Sequence, residues 1–370
     1  MVVSWPTRFG DSSTIKVKGL MKTSCQLTYF ALTAVGLIMT SCASTTTPSA
    51  ANPFGVRITH TNDVLRVELN GRLFTEYYYT NVPRPFCYPI IGPTGLAMTR
   101  NYPMLTNAPG EELDHPHHRS LWFAHGAVNG QDFWTERKNS GKIVHRGFAE
   151  ILSGTQSGVI RTLNHWISAE GKTICTDEEM IKFYAPKDET ITLDFEITLH
   201  ASNGEVTLGD TKEGTFAFRV AETMRVLKPK GKPGEGHIVL STGVRDDGAS
   251  AAAAKAAKKE AATWGKRAAW CDYYGPVGSN IVGAAIFDHP FNPRHPTWWH
   301  VRDYGLFAAN PFGQHDFEKP SDPKGGDLKI PAGQKVTFRY RVILHEGDEV
   351  KGRIAQRYSD YIKETAAEKK

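Results

Sequence analysis

The stretch Asp194-Phe195-Glu196-Ile197-Thr198-Leu199-His200 alternates polar and apolar residues without a break. A two-residue period places Phe195, Ile197 and Leu199 on one face of an extended chain and the polar residues on the other. That is a strand with one side on a core and one in water. Similar runs, alternating or rich in β-branched and aromatic residues, predict strands over Val56 to Thr61, Val64 to Leu69, Arg72 to Tyr79, Val159 to Trp166, Lys172 to Tyr184, Thr190 to His200, Phe216 to Val226, Ile281 to Phe287 and Lys335 to His345. Turn residues punctuate them at Asn70-Gly71, Asn203-Gly204 and Gly231-Lys232-Pro233-Gly234.

Only two stretches read as helical. Ala249 to Ala262 is almost wholly Ala, Lys and Glu, so it is expected as an exposed inserted helix or loop rather than part of a site. Glu349 to Glu368 puts Ile354, Tyr358 and Ile362 on a common face and should pack on the domain edge. Many strands joined by turns, without alternating helices, predict an all-β fold. The expected form is one large antiparallel β-sandwich over residues 53–365, with a C-terminal helix, few other helices and an Ala/Lys-rich insertion at 249–262.

The N-terminus has a signal peptide's order: Lys22, an apolar run from Leu27 to Met39, then small residues before Cys42. The run is too short to span a bilayer as a stable helix, which takes about 20 apolar residues. Met39-Thr40-Ser41-Cys42 resembles a bacterial lipobox, with Met39 where Leu is commoner; the resemblance implies cleavage before Cys42 and lipidation of its thiol. Residues 1–41 are thus read as leader and lipoprotein signal peptide, with Met21 the expected start. Residues 42–52 are the lipidated cysteine and a small, polar tether that cannot bury enough surface to fold. By resemblance to lipoprotein sorting, Ala43 after the cysteine implies the outer membrane, facing the periplasm or the surface.

Hydrophobic residues at 40% and charged residues at 22% are ordinary for a globular domain, so a substantial core is expected. The formal charge of +5 is partly leader and Lys-rich tail, and no basic stripe carries interleaved aromatics, so nucleic acid is not an expected partner. Cys25 leaves with the leader, and Cys87, Cys175 and Cys271 cannot form a full disulfide framework. They read as buried small hydrophobes, one bridge with a free thiol being the alternative.

Three segments carry the unusual chemistry. Asp114-His115-Pro116-His117-His118-Arg119-Ser120-Leu121-Trp122-Phe123-Ala124-His125 holds four histidines. In an extended backbone, His115 and His117 would point one way and His118 the other. These imidazoles could bind a divalent transition metal through His115, His117 and His125, although no H-E-x-x-H or facial-triad spacing completes the set. They could instead do acid/base work, with Asp114 holding a histidine and Arg119 binding substrate. Or they could hydrogen-bond within a crowded loop and do no chemistry.

Leu208-Gly209-Asp210-Thr211-Lys212-Glu213-Gly214 offers Asp210 and Glu213 as a second acid/base group; a surface ion-pair turn is the alternative. The third segment, Asp288 to Gly313, mixes aromatic plates with polar forks. There Trp298 or Trp299 could stack a sugar while His300, Arg302 and Asn310 meet its hydroxyls. Either tryptophan could equally be core.

These same motifs resemble the bacterial family DUF6807, often labelled PmoA or methane oxygenase PmoA. The matching landmarks are Asp114 to Trp122, Val128-Asn129-Gly130, Asp132-Phe133-Trp134, Gly209 to Gly214, Trp299 to Arg302 and Tyr304 to Gly313. A methane monooxygenase subunit needs several spanning helices, which the mature chain lacks, so methane oxidation is not expected. The resemblance implies a galactose-mutarotase-like supersandwich, a fold shared by sugar epimerases and polysaccharide-active enzymes. The leading expectation is a carbohydrate-active lyase, hydrolase or epimerase with His117, His118, Glu213 and Asp210 catalytic and Arg119, Trp298, Trp299, His300, Arg302 and Asn310 binding substrate. A metal-dependent enzyme and a non-catalytic glycan-binding envelope protein are the alternatives.

Overall fold

The computed structural model describes residues 55–322 and 325–367, so the leader, Cys42 and most of the tether lie outside the described residues. The described chain builds two large antiparallel sheets. One has eight strands in the spatial order Val56–Thr61, Val64–Leu69, Arg72–Tyr78, Phe86–Tyr88, Leu121–His125, Gly214–Arg219, Leu306–Asn310 and Trp298–Val301. The other has nine, in the order Arg245–Asp246, His237–Leu240, Trp270–Val277, Asn280–Asp288, Lys335–Glu346, Ile191–His200, Thr173–Tyr184, Ser157–Ile167 and Lys142–Leu152.

The alternation that opened the sequence reading is realised in Ile191–His200, where every second residue from Ile191 to Leu199 is buried. These side chains meet the first sheet across a dry interface: Phe195 packs on Phe123 at 6.1 Å and on Phe216 at 4.6 Å, and Phe216 stacks on Tyr340 at 4.7 Å. Burying a large apolar side chain contributes about 1.5–3 kcal/mol, so each of these rings adds measurably to the stability. Cys87, Cys175 and Cys271 are free and buried, as small hydrophobes would be.

Several expectations need correction. The strand expected to reach Val226 ends at Arg219, and a short 3-10 turn over Glu222–Met224 follows. The insertion helix covers only Gly248–Ala256, capped by Asp247 accepting from the Ser250 amide. The C-terminal helix starts late, at Ile354, because Arg353 sits at φ 55°. Its buried stripe is Ile354, Tyr358 and Tyr361, against Val239, Trp270, Ala285, Phe287 and Ile343 of the second sheet. Ile362 is 39% exposed, since Tyr361, three residues after Tyr358, lies closer to the sheet-facing side.

Two carboxylates are sealed between the sheets. Asp177 accepts from Asn164 Nδ2 at 2.8 Å and Trp166 Nε1 at 2.6 Å, and Glu179 accepts from the Tyr77 hydroxyl at 3.0 Å. Burial pushes Asp177 up to about 7; burial, with Asp177 beside it, pushes Glu179 up to about 8. In the unfolded chain both ionise near pH 4. The folded state therefore binds more protons between there and about pH 7 to 8, and these groups lower stability as pH rises through that window. Buried neutral histidines pull the opposite way below about pH 6.5. The readout is accordingly a difference: between pH 5 and 8, the Asp177→Asn, Glu179→Gln double variant should lose less unfolding free energy in urea titrations than the parent. Parallel pH profiles would show that the two carboxyls are not protonated in the fold.

Candidate functional site

The first sheet is covered on both faces. Its strands Leu121–His125, Gly214–Arg219, Leu306–Asn310 and Trp298–Val301 are buried at every residue. Phe123 and Phe216 point to the second sheet, so alternation sends their neighbours outward. The register then aligns Trp122, Ala217, Ala308 and His300 in one row across four strands of the outer face. Arg219, paired opposite Leu306, lies beside that row. The histidine loop closes over it.

That loop is not extended, so the alternation of side chains along a strand does not apply to it. His115 takes φ 45° and Ser120 φ 61°, left-handed values that cost of order 1–3 kcal/mol in a non-glycine residue, and the His118 amide donates back to the His115 carbonyl at 3.0 Å. Two arginines hold the strained backbone by its carbonyls. Arg100, 0% exposed, donates to the carbonyls of Asp114 at 2.9 Å and His115 at 3.0 Å and pairs with the Asp114 carboxylate. Arg84, 1% exposed, donates to the carbonyls of Phe133 at 2.6 Å, His117 at 2.9 Å and Trp134 at 2.9 Å, and to Glu136 at 2.7 Å.

The result is a stack. His115 lies nearly parallel to His118, at 4.8 Å, and to Tyr304, at 4.9 Å, with those two rings 6.4 Å from each other, while His117 meets His118 edge-on at 4.4 Å. Asp114 Oδ2 is 2.8 Å from His115 Nδ1, so its imidazole neighbour is His115 rather than His117 or His118. Burial opposes ionisation of Asp114, but His115, Arg219 and Arg100 together hold it well below the usual carboxylate range.

A cleft of about 540 Å³ opens above this stack. His115, His117, His118, Lys212, Glu213, His300, Arg302 and Tyr304 all line it, so the three segments singled out in the sequence meet in one place. Burial, aided by Arg84, lowers His117 to about 3. Burial, aided by Arg302, lowers His300 to about 3. Burial and Arg219 hold His118 well below 6.5. All three are neutral imidazoles at neutral pH, each a weaker base than an imidazole in water.

Their hydrogen bonds set them apart. Arg219 Nη1 lies 3.4 Å from His118 Nδ1. A guanidinium only donates, which assigns the lone pair to Nδ1 and the proton to Nε2. His118 is thereby fixed as a donor. Among the described residues the His117 imidazole has no hydrogen-bond partner, leaving a nitrogen lone pair for a ligand. His300, 3% exposed, bonds the Lys212 backbone, and its Nδ1 is buried without a partner.

Several proposed site residues do not line the cleft. Arg119 forms a two-pronged pair with Glu136, both arms at 2.8 Å, and lies over Phe86. Asp210 accepts from the amides of His315 and Gly326, tying loops together. Trp299 is fully buried and donates to the Ala268 carbonyl; Trp298 is buried, donating to Glu318 with Arg267 over its ring. Asn310 bridges the Thr211 carbonyl and the Phe312 amide. His125 bonds the Gly209 carbonyl at 2.8 Å and packs on Phe312, away from His115 and His117. Among the described residues no group of three or more His, Cys, Asp or Glu is placed to hold a metal ion, so the His115, His117, His125 ligand set does not assemble.

The cleft also recruits residues the sequence reading passed over. Glu260 and Trp264 come from the Ala/Lys-rich insertion and its end, Thr135 and Arg137 from the loop after Trp134, and Asp316 and Lys319 from the short helix Gln314–Glu318 and its C-cap. Arg302 pairs with Glu260 at 2.9 Å and lies over both Trp264 and Tyr304. A lone Trp264 in a run without an apolar face was the one available signal.

No curated protein matches the chain. Among solved structures it is similar to a polysaccharide lyase at 13% identity and TM-score 0.30, covering 81% of this chain and 34% of that one. It is also similar to an aldose epimerase homologue from C. elegans, at 6% identity and TM-score 0.29, covering 79% and 98%. A third is a glycoside hydrolase family 97 enzyme from Pseudoalteromonas sp. strain K8, in complex with acarbose, at 10% identity and TM-score 0.28, covering 79% and 34%. The chain thus spans about a third of the lyase and of the hydrolase, and likeness at this level carries no argument about activity. The family of unknown function DUF6807 matches residues 64–359, a span that contains every cleft residue named above. The chain belongs to DUF6807.

Proposed function

We propose that the cleft is the active site of a carbohydrate-active enzyme, a lyase, hydrolase or epimerase working by histidine and carboxylate acid/base chemistry. One observation carries the reading: His117, neutral and, among the described residues, without a hydrogen-bond partner on its ring, shares a polar cleft with the fixed donor His118 and the carboxylate of Glu213. A base, a donor and a carboxylate around one space are what proton transfer at a sugar carbon or glycosidic oxygen requires. His117 takes the proton, Glu213 supplies the second acid/base group, and His118 and Arg302 bind substrate oxygens. Trp264 brings an indole to the cleft wall, where Trp298 and Trp299 do not reach.

Incubation of the purified protein with a polysaccharide panel tests this. New reducing ends, unsaturated sugar products or a changed epimer ratio by NMR are the expected results. Glycan binding without any product would favour a non-catalytic binding protein.

The same reading makes the protein an exported lipoprotein held by Cys42 in the cell envelope, facing the periplasm or the surface. Cys42→Ser should move it from the membrane to the soluble fraction and abolish labelling by a radioactive fatty acid. Membrane retention in that variant would remove the anchor.

A further inference from the structure

The cleft's charges do not balance. Arg137, Lys212, Arg302 and Lys319 line it with Glu213, Glu260 and Asp316, so four cations face three carboxylates and one positive charge is left over. The three carboxylates already have cationic neighbours: Glu260 lies 2.9 Å from Arg302, and Lys212 Nζ lies 3.5 Å from Glu213 and 4.0 Å from Asp316. Among the described residues, Arg137 and Lys319 form no ion pair. Both are exposed, and they approach from different walls, the loop after Trp134 and the C-cap of the helix Gln314–Glu318.

The layer below repeats the imbalance. Arg100 and Arg219, both 0% exposed, share the Asp114 carboxylate, and Arg219 Nε has no hydrogen-bond partner. At the cleft wall the Trp264 Nε1–H is likewise unpartnered, and an indole N–H can only donate. Unsatisfied donors and surplus cations call for an acceptor-rich anion. The unpartnered His300 Nδ1, by contrast, suits a hydroxyl, because its other nitrogen is engaged by the Lys212 backbone. A multiply charged phosphate would fit poorly among three carboxylates.

We infer that the cleft takes a glycan whose bound sugar carries a single negative charge, a uronic acid carboxylate or a sulfate ester, met by Arg137 and Lys319 across the opening. The inference rests on the carbohydrate reading and narrows it. An anion bound there also offsets the positive field around His117 and makes that imidazole a stronger base in the complex than in the free protein.

Titration calorimetry at low and physiological salt can test it with paired probes. Uronate oligosaccharides from pectin and alginate are set against their carboxyl-reduced forms, and sulfated oligosaccharides against their desulfated forms. At least one charged probe should bind about tenfold more tightly than its neutral partner, with the difference shrinking as salt rises. The pair that shows the preference identifies carboxylate or sulfate. The exposed double variant Arg137→Ala, Lys319→Ala should lose most of the preference while keeping its melting temperature. Equal binding of charged and neutral partners, or a preference that survives the double variant, overturns the inference but leaves the carbohydrate reading standing. If no glycan of either kind binds, both fall.

Discussion

His117→Ala should lower kcat/KM on a responsive glycan by roughly 10²–10⁴-fold, the range expected when a general base is removed, with the fold intact. Among the described residues the imidazole has no hydrogen-bond partner, so its loss breaks no polar network there. The carbonyl that Arg84 holds belongs to the backbone and survives the change. Added imidazole should restore part of the rate, which a merely structural role would not allow. The pH profile provides a second check. Because kcat/KM reports groups of the free enzyme, and burial keeps His117 neutral until about pH 3, this residue should produce no loss of rate between pH 7 and 5. Unchanged turnover in His117→Ala would reject its assignment as the base.

Arg84→Ala should destabilise the protein by about 3–5 kcal/mol, the cost of removing one partner from a buried ion pair. The substitution strands three backbone carbonyls and leaves Glu136 with Arg119 alone. Arg84→Lys should recover little, because an ammonium cannot reproduce the planar fork that reaches Phe133, His117 and Trp134 together. Urea unfolding of both variants measures the effect. A loss under about 1 kcal/mol in Arg84→Ala would mean that the loop holds its shape without the clamp. In the surviving folded fraction activity should also fall, since the carbonyl released is that of His117.

The alternating strands were the legible part of the fold, Val64–Leu69 in the first sheet as well as those of the second. Strands such as Ile191–His200 and Thr173–Tyr184 bury alternate residues, and that period can be read directly from the sequence. Other strands of the first sheet, its edge strand Trp298–Val301 among them, could not be read that way. Leu121–His125, Trp298–Val301 and Leu306–Asn310 are buried on both faces, so hydrophobicity runs through them without a period. The site followed the same division. Composition alone marked the three loops that meet in the cleft.

Which side chains of those loops face the cleft was beyond composition, because that depends on register. Trp299 points inward and His300 outward, one residue apart. Arg119 and Asp210 were indistinguishable in sequence from substrate ligands until Glu136 and the His315 and Gly326 amides were found to occupy them. Trp264 was hidden for the opposite reason. It follows a polar, alanine-rich insertion that resembles surface, yet it brings an indole to the cleft wall.

The account stands on the three loops forming one ligand-binding mouth over the outer face of the first sheet. A crystal structure of His117→Ala with a glycan that the protein binds measures this most directly. The sugar should lie against His118, Glu213, Trp264 and Arg302, touching all three loops at once. Glycan density seated elsewhere, for example in the groove lined by Leu69, Phe74, Ile91 and Pro186, would contradict it.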